Sequence, residues 1–207
     1  SYGSQVNFTT LGIAPTVTTQ AVTSITTTTA TGNGNITALG TPNPTQHGVC
    51  WSTSENPTTA DDCTQNGTPS STGAYTASLT GLSVYTTYYV RAYATNSAGT
   101  SYGNQVEFTT DPQAPTVTTQ AVSSIDTTTA TGNGNIIDLG APNPTQHGVC
   151  WSTSENPNIS NDCTQNGVAY STDVFTANMT GLSAYTTYYV RAYATNNAGT
   201  SYGSQVN

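Results

Sequence analysis

At 207 residues the chain has room for two small domains, yet only 6% of its residues are charged, against about a quarter in an ordinary soluble domain. Ten acids against two arginines leave a net charge of -8, which argues against a nucleic-acid or anionic-membrane partner. No apolar run reaches the ~18 residues that would suggest a membrane-spanning helix, so hydroxyl and amide side chains must carry solubility, with threonine about a fifth of the chain.

In chain order, the first feature is SYGSQVN at Ser1–Asn7, which returns at Ser201–Asn207 and, as SYGNQVE, at Ser101–Glu107. Pro15/Pro115, His47/His147, Trp51/Trp151 and Arg91/Arg191 share one offset of 100 residues with no insertion. Each repeat reads as short strands broken by Gly, Asn and Pro. Strands are predicted near Pro15–Gln20, Thr27–Thr37, Gln46–Thr53, Ala74–Leu79, Thr86–Asn96 and Thr100–Thr110. On the second of these, period two turns Ala30, Gly32, Gly34 and Ile36 inward and Thr29, Thr31, Asn33 and Asn35 outward. The glycines suit a bulge or close packing of sheets, since no helix or lysine follows to make a phosphate loop. A modest core is expected from Val17, Ile36, Val49 or Trp51, Tyr75, Leu79, Leu82, Tyr88, Val90, Val106 and Phe108.

The stretch TTYYVRAYATN at Thr86–Asn96 recurs unchanged at Thr186–Asn196. Period two puts Tyr88, Val90, Ala92 and Ala94 on one face and Tyr89, Arg91, Tyr93 and Thr95 on the other. Leu82, then Tyr-x-Val-x-Ala-x-Ala-x-Asn, then the Asn-Ser-Ala-Gly turn at Asn96–Gly99, resembles strand F and the F–G turn of a fibronectin type III-like sandwich. GVCWSTS at Gly48–Ser54, NPT at Asn56–Thr58 and the closing Tyr102–Thr110 resemble tandem repeats of secreted and cell-surface proteins of Bacteroidetes-type bacteria. The resemblance implies an all-β protein of two tandem Ig-like, fibronectin type III-like β-sandwich domains, with Tyr88 as a tyrosine corner. It places residues 1–13 as the end strand of a preceding repeat plus linker, 14–111 as the first domain and 112–207 as the second, with its last strand truncated. The matching ends suggest a two-domain window, mature or excerpted, from a longer array; the rival account is that a terminal strand completes a neighbour's open sandwich.

Each repeat carries one pair of cysteines, Cys50 with Cys63 and Cys150 with Cys163. The second of each pair departs from the resembling repeats. One pair per repeat and no spare thiol favours two local disulfides and an oxidising compartment. The metal alternative is weaker, because Cys-x12-Cys and a lone His47 offer three ligands at most. No catalytic constellation is present, so no enzyme activity, cofactor or metal is expected. Glu55, Asp61, Asp62 and Asp162 surround a loop without calcium-loop spacing, and a solvated acidic loop is the plainer reading. The trios Tyr89, Arg91, Tyr93 and Tyr189, Arg191, Tyr193 are candidate sugar or partner contacts, the competing reading being a cross-strand cation–π cluster.

What remains is a surface of hydroxyls and amides. Strand propensity enriches threonine, but it does not explain why lysine is absent and glutamate scarce. Covalent glycans would hydrate such a surface and block sideways pairing of edge strands. Thr29, Thr31, Asn35, Thr127, Thr129 and Thr131 are the candidate carriers, and Asp126-Thr127-Thr128 resembles the short O-glycosylation signal of the same bacteria. The sequence thus suggests a structural tandem-repeat subunit of an extracellular fibre or cell-surface stalk, its copies joined to one another head to tail. The alternative is a carbohydrate-binding or spacer module of a secreted polysaccharide-degrading enzyme or adhesin.

Overall fold

A computed structural model of the chain describes residues 2–207 and contains strands and turns with no helix among them. It divides into two compact units, Ser1–Asp111 and Pro112–Asn207. Unit 1 runs β1 (Thr16–Thr23), β2 (Ala30–Ala38), β3 (Gln46–Ser52), β4 (Asp62–Cys63), β5 (Gly73–Leu79), β6 (Thr87–Asn96), β7 (Gly99–Tyr102) and β8 (Val106–Thr109). Unit 2 repeats the series as β9 (Thr116–Ser123), β10 (Thr129–Asp138), β11 (Gln146–Ser152), β12 (Asp162–Cys163), β13 (Val174–Thr180), β14 (Tyr189–Asn196) and β15 (Gly199–Tyr202). In unit 1 one sheet has the order β1-β2-β5, and the other has β4-β3-β6-β7 with β8 also on β6. Unit 2 matches it with β13-β10-β9 and β12-β11-β14-β15. Each unit is therefore an antiparallel sandwich of the fibronectin type III-like kind, three strands facing four or five.

Alternation along the strands builds the core. On β2 the expected parity holds, with Ala30, Gly32, Gly34 and Ile36 buried and the residues between them half-buried. Val49, Tyr88, Val90 and Phe108 close over them from the facing sheet, Leu79 joins them from β5 beside β2 and Leu82 from the turn after it, with Trp51, Tyr75 and Val106 packed at the margin. Burying such side chains contributes about 1.5–3 kcal/mol each, which is how a chain so poor in large apolar residues still makes a core. The two strand glycines let the sheets approach. A Cβ on Gly32 would lie 2.7 Å from Leu79 Cδ1 and 2.8 Å from Val49 Cγ1, and one on Gly34 would lie 2.9 Å from Ala92 Cβ and against the Tyr75 ring. Close packing is the role of both glycines, and Gly32 also lies opposite the register shift of β1 between Gln20 and Thr23.

Two polar devices lock the frame. The Ser83 N–H donates to the Tyr88 hydroxyl at 2.9 Å, and Ser183 N–H does the same to Tyr188 at 3.1 Å, which realises the expected tyrosine corner in both units. The Ala92 N–H donates to Thr19 Oγ1 at 3.0 Å, tying β6 of one sheet to β1 of the other. That crossing also explains why the predicted last strand is interrupted. Gly103 packs against the Thr18–Thr19 backbone, where a Cβ would lie 2.8 Å from the Thr18 carbonyl carbon, so β7 ends before it and β8 resumes at Val106.

Two expectations are corrected. The first strand continues to Thr23 through a register shift, and the second begins at Ala30 rather than Thr27. A two-residue strand, β4, had no signal in the sequence, being too short for any periodicity to register. Residues 2–10 pair with no strand of either unit, and Tyr2, Val6 and Phe8 are exposed; Ser1 lies outside the described residues.

Candidate functional site

The central strand β6 has both faces covered, which alters the candidate contact trio. Tyr93, expected to point outward, is 3% exposed, and its hydroxyl donates to the Thr64 carbonyl at 2.8 Å. The segment after β4 lies over it, held by Thr64 N–H to the Val49 carbonyl and Asn66 N–H to the His47 carbonyl, each 2.9 Å. Tyr193 is covered alike and donates to Thr164 at 2.7 Å. Tyr89, Arg91, Tyr189 and Arg191 are half-buried. The two tyrosines and the arginine of each trio therefore do not share one open face.

Arg91 has other work. Its Nε–H donates to the Gly103 carbonyl at 2.9 Å, and its guanidinium lies 4.7 Å from the centre of the Tyr102 ring. Tyr102 in turn accepts at its hydroxyl from Thr59 N–H at 2.9 Å. Arg191 repeats the arrangement with Gly203 and Tyr202, whose hydroxyl accepts from Ile159 N–H. The cation–π partner is thus the cross-strand Tyr102 or Tyr202, neither of which the alternation within one strand could single out. The arginine fastens the interrupted last strand to the loop around Thr59.

Both cysteine pairs form disulfides, Cys50–Cys63 and Cys150–Cys163, each joining residues directly opposite on neighbouring strands with Cα atoms 4.0 Å apart. His47 is buried; its Nδ1–H donates to the Gly67 carbonyl at 2.7 Å, and the ring meets Tyr75 edge-on at 4.6 Å. His147 repeats both contacts, with Phe175 in place of the tyrosine. In the acidic loop Asp61 Oδ2 accepts from Thr58 N–H at 2.8 Å, and the amide of Asn161 does the same for Asn158 N–H in unit 2 at 2.9 Å. An amide serving equally well marks this as a turn-capping role in which charge is not required. Among the described residues no three of His, Cys, Asp or Glu cluster as metal ligands would.

The candidate glycan carriers differ in access. Thr127 and Thr129 are exposed; Thr29, Thr31, Asn35 and Thr131 are half-buried, because β1 or β9 and β5 or β13 flank the strand. Thr29 Oγ1 also hydrogen-bonds with Thr26 Oγ1 at 2.8 Å. Unit 2 therefore offers the more accessible carriers.

Burial pushes the Tyr75 phenol far above the ordinary tyrosine range; its hydroxyl donates to the Gly48 carbonyl at 2.8 Å. Burial, and then the neighbouring phenols Tyr102 and Tyr202, also raise Tyr93 and Tyr193. A raised phenol favours the protonated folded state, so its contribution is full below the unfolded value near pH 10 and is lost as pH climbs toward the folded value. Unit 2 has Phe175 where unit 1 has Tyr75. The variant Tyr75→Phe should therefore be about 1 kcal/mol less stable at pH 8, for the lost hydrogen bond, with the gap to wild type narrowing above about pH 10. Thermal melts followed by circular dichroism from pH 8 to 11.5 read this directly; a gap that stays constant would contradict it.

No family model matches the chain, and no curated protein matches it. Among solved structures, a two-domain fibronectin type III segment from chicken tenascin is similar at 13% identity, covering 93% of this chain and 95% of that one, with a TM-score of 0.42.

Proposed function

We propose that the chain is a structural tandem-repeat subunit of an extracellular fibre or surface stalk of a bacterium, assembled head to tail and coated with covalent glycans. The observation that carries this reading is the pairing of two near-identical, disulfide-stapled sandwiches with a composition only 6% charged. A repeating module with one staple per copy suits a load-bearing array outside the cell, where thiols stay oxidised. The recurrence of the arginine contact in both units supports the same role, since each braces its own sandwich. Exposed Thr127 and Thr129 are the first places where sugar is expected.

Native material tests the reading in two ways. Electron microscopy should show a filament with an axial repeat built from sandwiches ~35–45 Å long, estimated from strands of ~6–10 residues plus end loops. Intact-mass measurement should find heterogeneous excess mass that chemical deglycosylation removes. A compact closed oligomer would end the fibre reading, and a mass equal to the bare sequence would end the glycan coat.

A further inference from the structure

The two units share a fold and most of their residues, so each shows what the other can do without. They diverge most in the loop between β12 and β13, where Val168, Ala169, Tyr170, Asp173 and Val174 replace Thr68, Pro69, Ser70, Gly73 and Ala74 of unit 1. Ala169 is 5% exposed, and its N–H donates to the Pro144 carbonyl at 3.1 Å. That contact pins the loop and leaves Val168 and Tyr170 on either side of it 45% and 82% exposed. Val174, 60% exposed, opens β13 opposite Asn135 of β10. Ile137, 51% exposed, lies two residues beyond Asn135 and so on the same outer face of the sheet.

In unit 1 the four positions hold Thr68, Ser70, Ala74 and Thr37, all of them exposed around a buried Pro69. Thr68, Ser70 and Ala74 line one cavity of about 250 Å³ there, together with Ile36, so these positions are neighbours in space. Unit 1 thus builds the same sandwich with three hydroxyls and a methyl where unit 2 exposes two valines, an isoleucine and a tyrosine. The fold does not need those apolar side chains. In a chain only 6% charged, a contiguous apolar patch also works against solubility. Contact with another molecule is the role that accounts for it.

Two acids border the patch in unit 2 alone. Asp173 precedes Val174 where unit 1 has Gly73, and Asp138 follows Ile137 where unit 1 has Ala38. Both are exposed, and both accept only from neutral donors: Val174 N–H for Asp173, and Gly140 N–H and the Gln113 amide for Asp138. A second copy of the chain would bring no cation to them. It has no lysine, and each of its arginines is held by a glycine carbonyl and a tyrosine ring. We propose that this face of unit 2 docks another protein, through a segment that sets an apolar or aromatic side chain beside lysine or arginine. Tyr170 is the central anchor, with a large rigid ring and a polar tip. Val168, Val174 and Ile137 flank it, and Asp138 and Asp173 at the rim select the basic neighbour and steer its approach.

The full chain can be panned against a random peptide library displayed on phage. Counter-selection uses the variant Ile137→Thr/Val168→Thr/Tyr170→Ser/Val174→Ala, whose new residues unit 1 already carries in the same fold. Selected peptides should place an apolar or aromatic residue beside Lys or Arg, and that variant should bind them roughly 100-fold more weakly. Asp138→Asn/Asp173→Asn should weaken them about 5-fold at low salt, an effect that fades at high salt. A selection that enriches nothing would overturn the site. Enriched peptides without basic residues, or binding unmoved by the two acid-to-amide changes, would overturn the basic partner. Concentration-dependent dimers of the wild type that the fourfold variant fails to form would overturn it too, by making a second copy the occupant.

Discussion

Replacing Cys50 and Cys63 together by alanine should lower the melting temperature of unit 1 by roughly 12–24 °C and leave unit 2 unchanged. The bond closes a loop with a sequence separation of 13, worth about 3 kcal/mol, and a 100-residue domain moves about 4–8 °C per kcal/mol. Geometry argues for the full effect. β4 is two residues long and pairs with β3 at Cys50 and Trp51, and the bridge anchors the start of the segment that Thr64 and Asn66 then bond to β3. The segment that follows covers Tyr93, and loosening it should let that phenol titrate nearer the ordinary tyrosine value. Scanning calorimetry of this variant beside Cys150→Ala/Cys163→Ala assigns the two transitions. A shift under about 4 °C would show that hydrogen bonding alone suffices to hold β4.

Gly34→Val should cost unit 1 about 3 kcal/mol even though valine is the better strand residue. The backbone of Gly34 needs no unusual dihedral, so the loss is steric: the new atoms enter space held by Tyr75 and Ala92. Thr37→Val, on the exposed end of the same strand, serves as the control and should be near neutral. Adding Tyr75→Ala to Gly34→Val should recover part of the loss, because the two changes compete for one volume. Strict additivity of the two in denaturant titrations would show that the sheets do not meet as closely at Gly34 as the contacts indicate.

How much of this was legible in the residues depended on whether one strand carried the signal alone. The inward run Ala30, Gly32, Gly34, Ile36 was readable from alternation, and the tyrosine corner at Tyr88 from the resemblance of its stretch to strand F of a fibronectin type III-like sandwich. The cysteine pairs were readable from their number and recurrence. Tyr93 was misplaced because alternation describes one sheet and cannot register the segment near Thr64 folding over its outer face. A cross-strand cation–π contact was legible at Arg91, but its partner, Tyr102 across the ladder, was not. The break at Gly103 arises from a strand of the opposite sheet crossing at Thr18–Thr19, which no local pattern announces.

The placement of the two arginines has a consequence for survival in a digestive environment. With no lysine in the chain, a protease that cuts after basic residues finds only two bonds, Arg91–Ala92 and Arg191–Ala192. Both lie in the middle of a central strand, Ala92 and Ala192 are wholly buried, and each arginine is tied down by a carbonyl and a ring. Cleavage requires an extended, accessible backbone, so either bond opens only when its whole sandwich does. Enzymes of trypsin-like specificity therefore meet a chain with no nick site in its folded form.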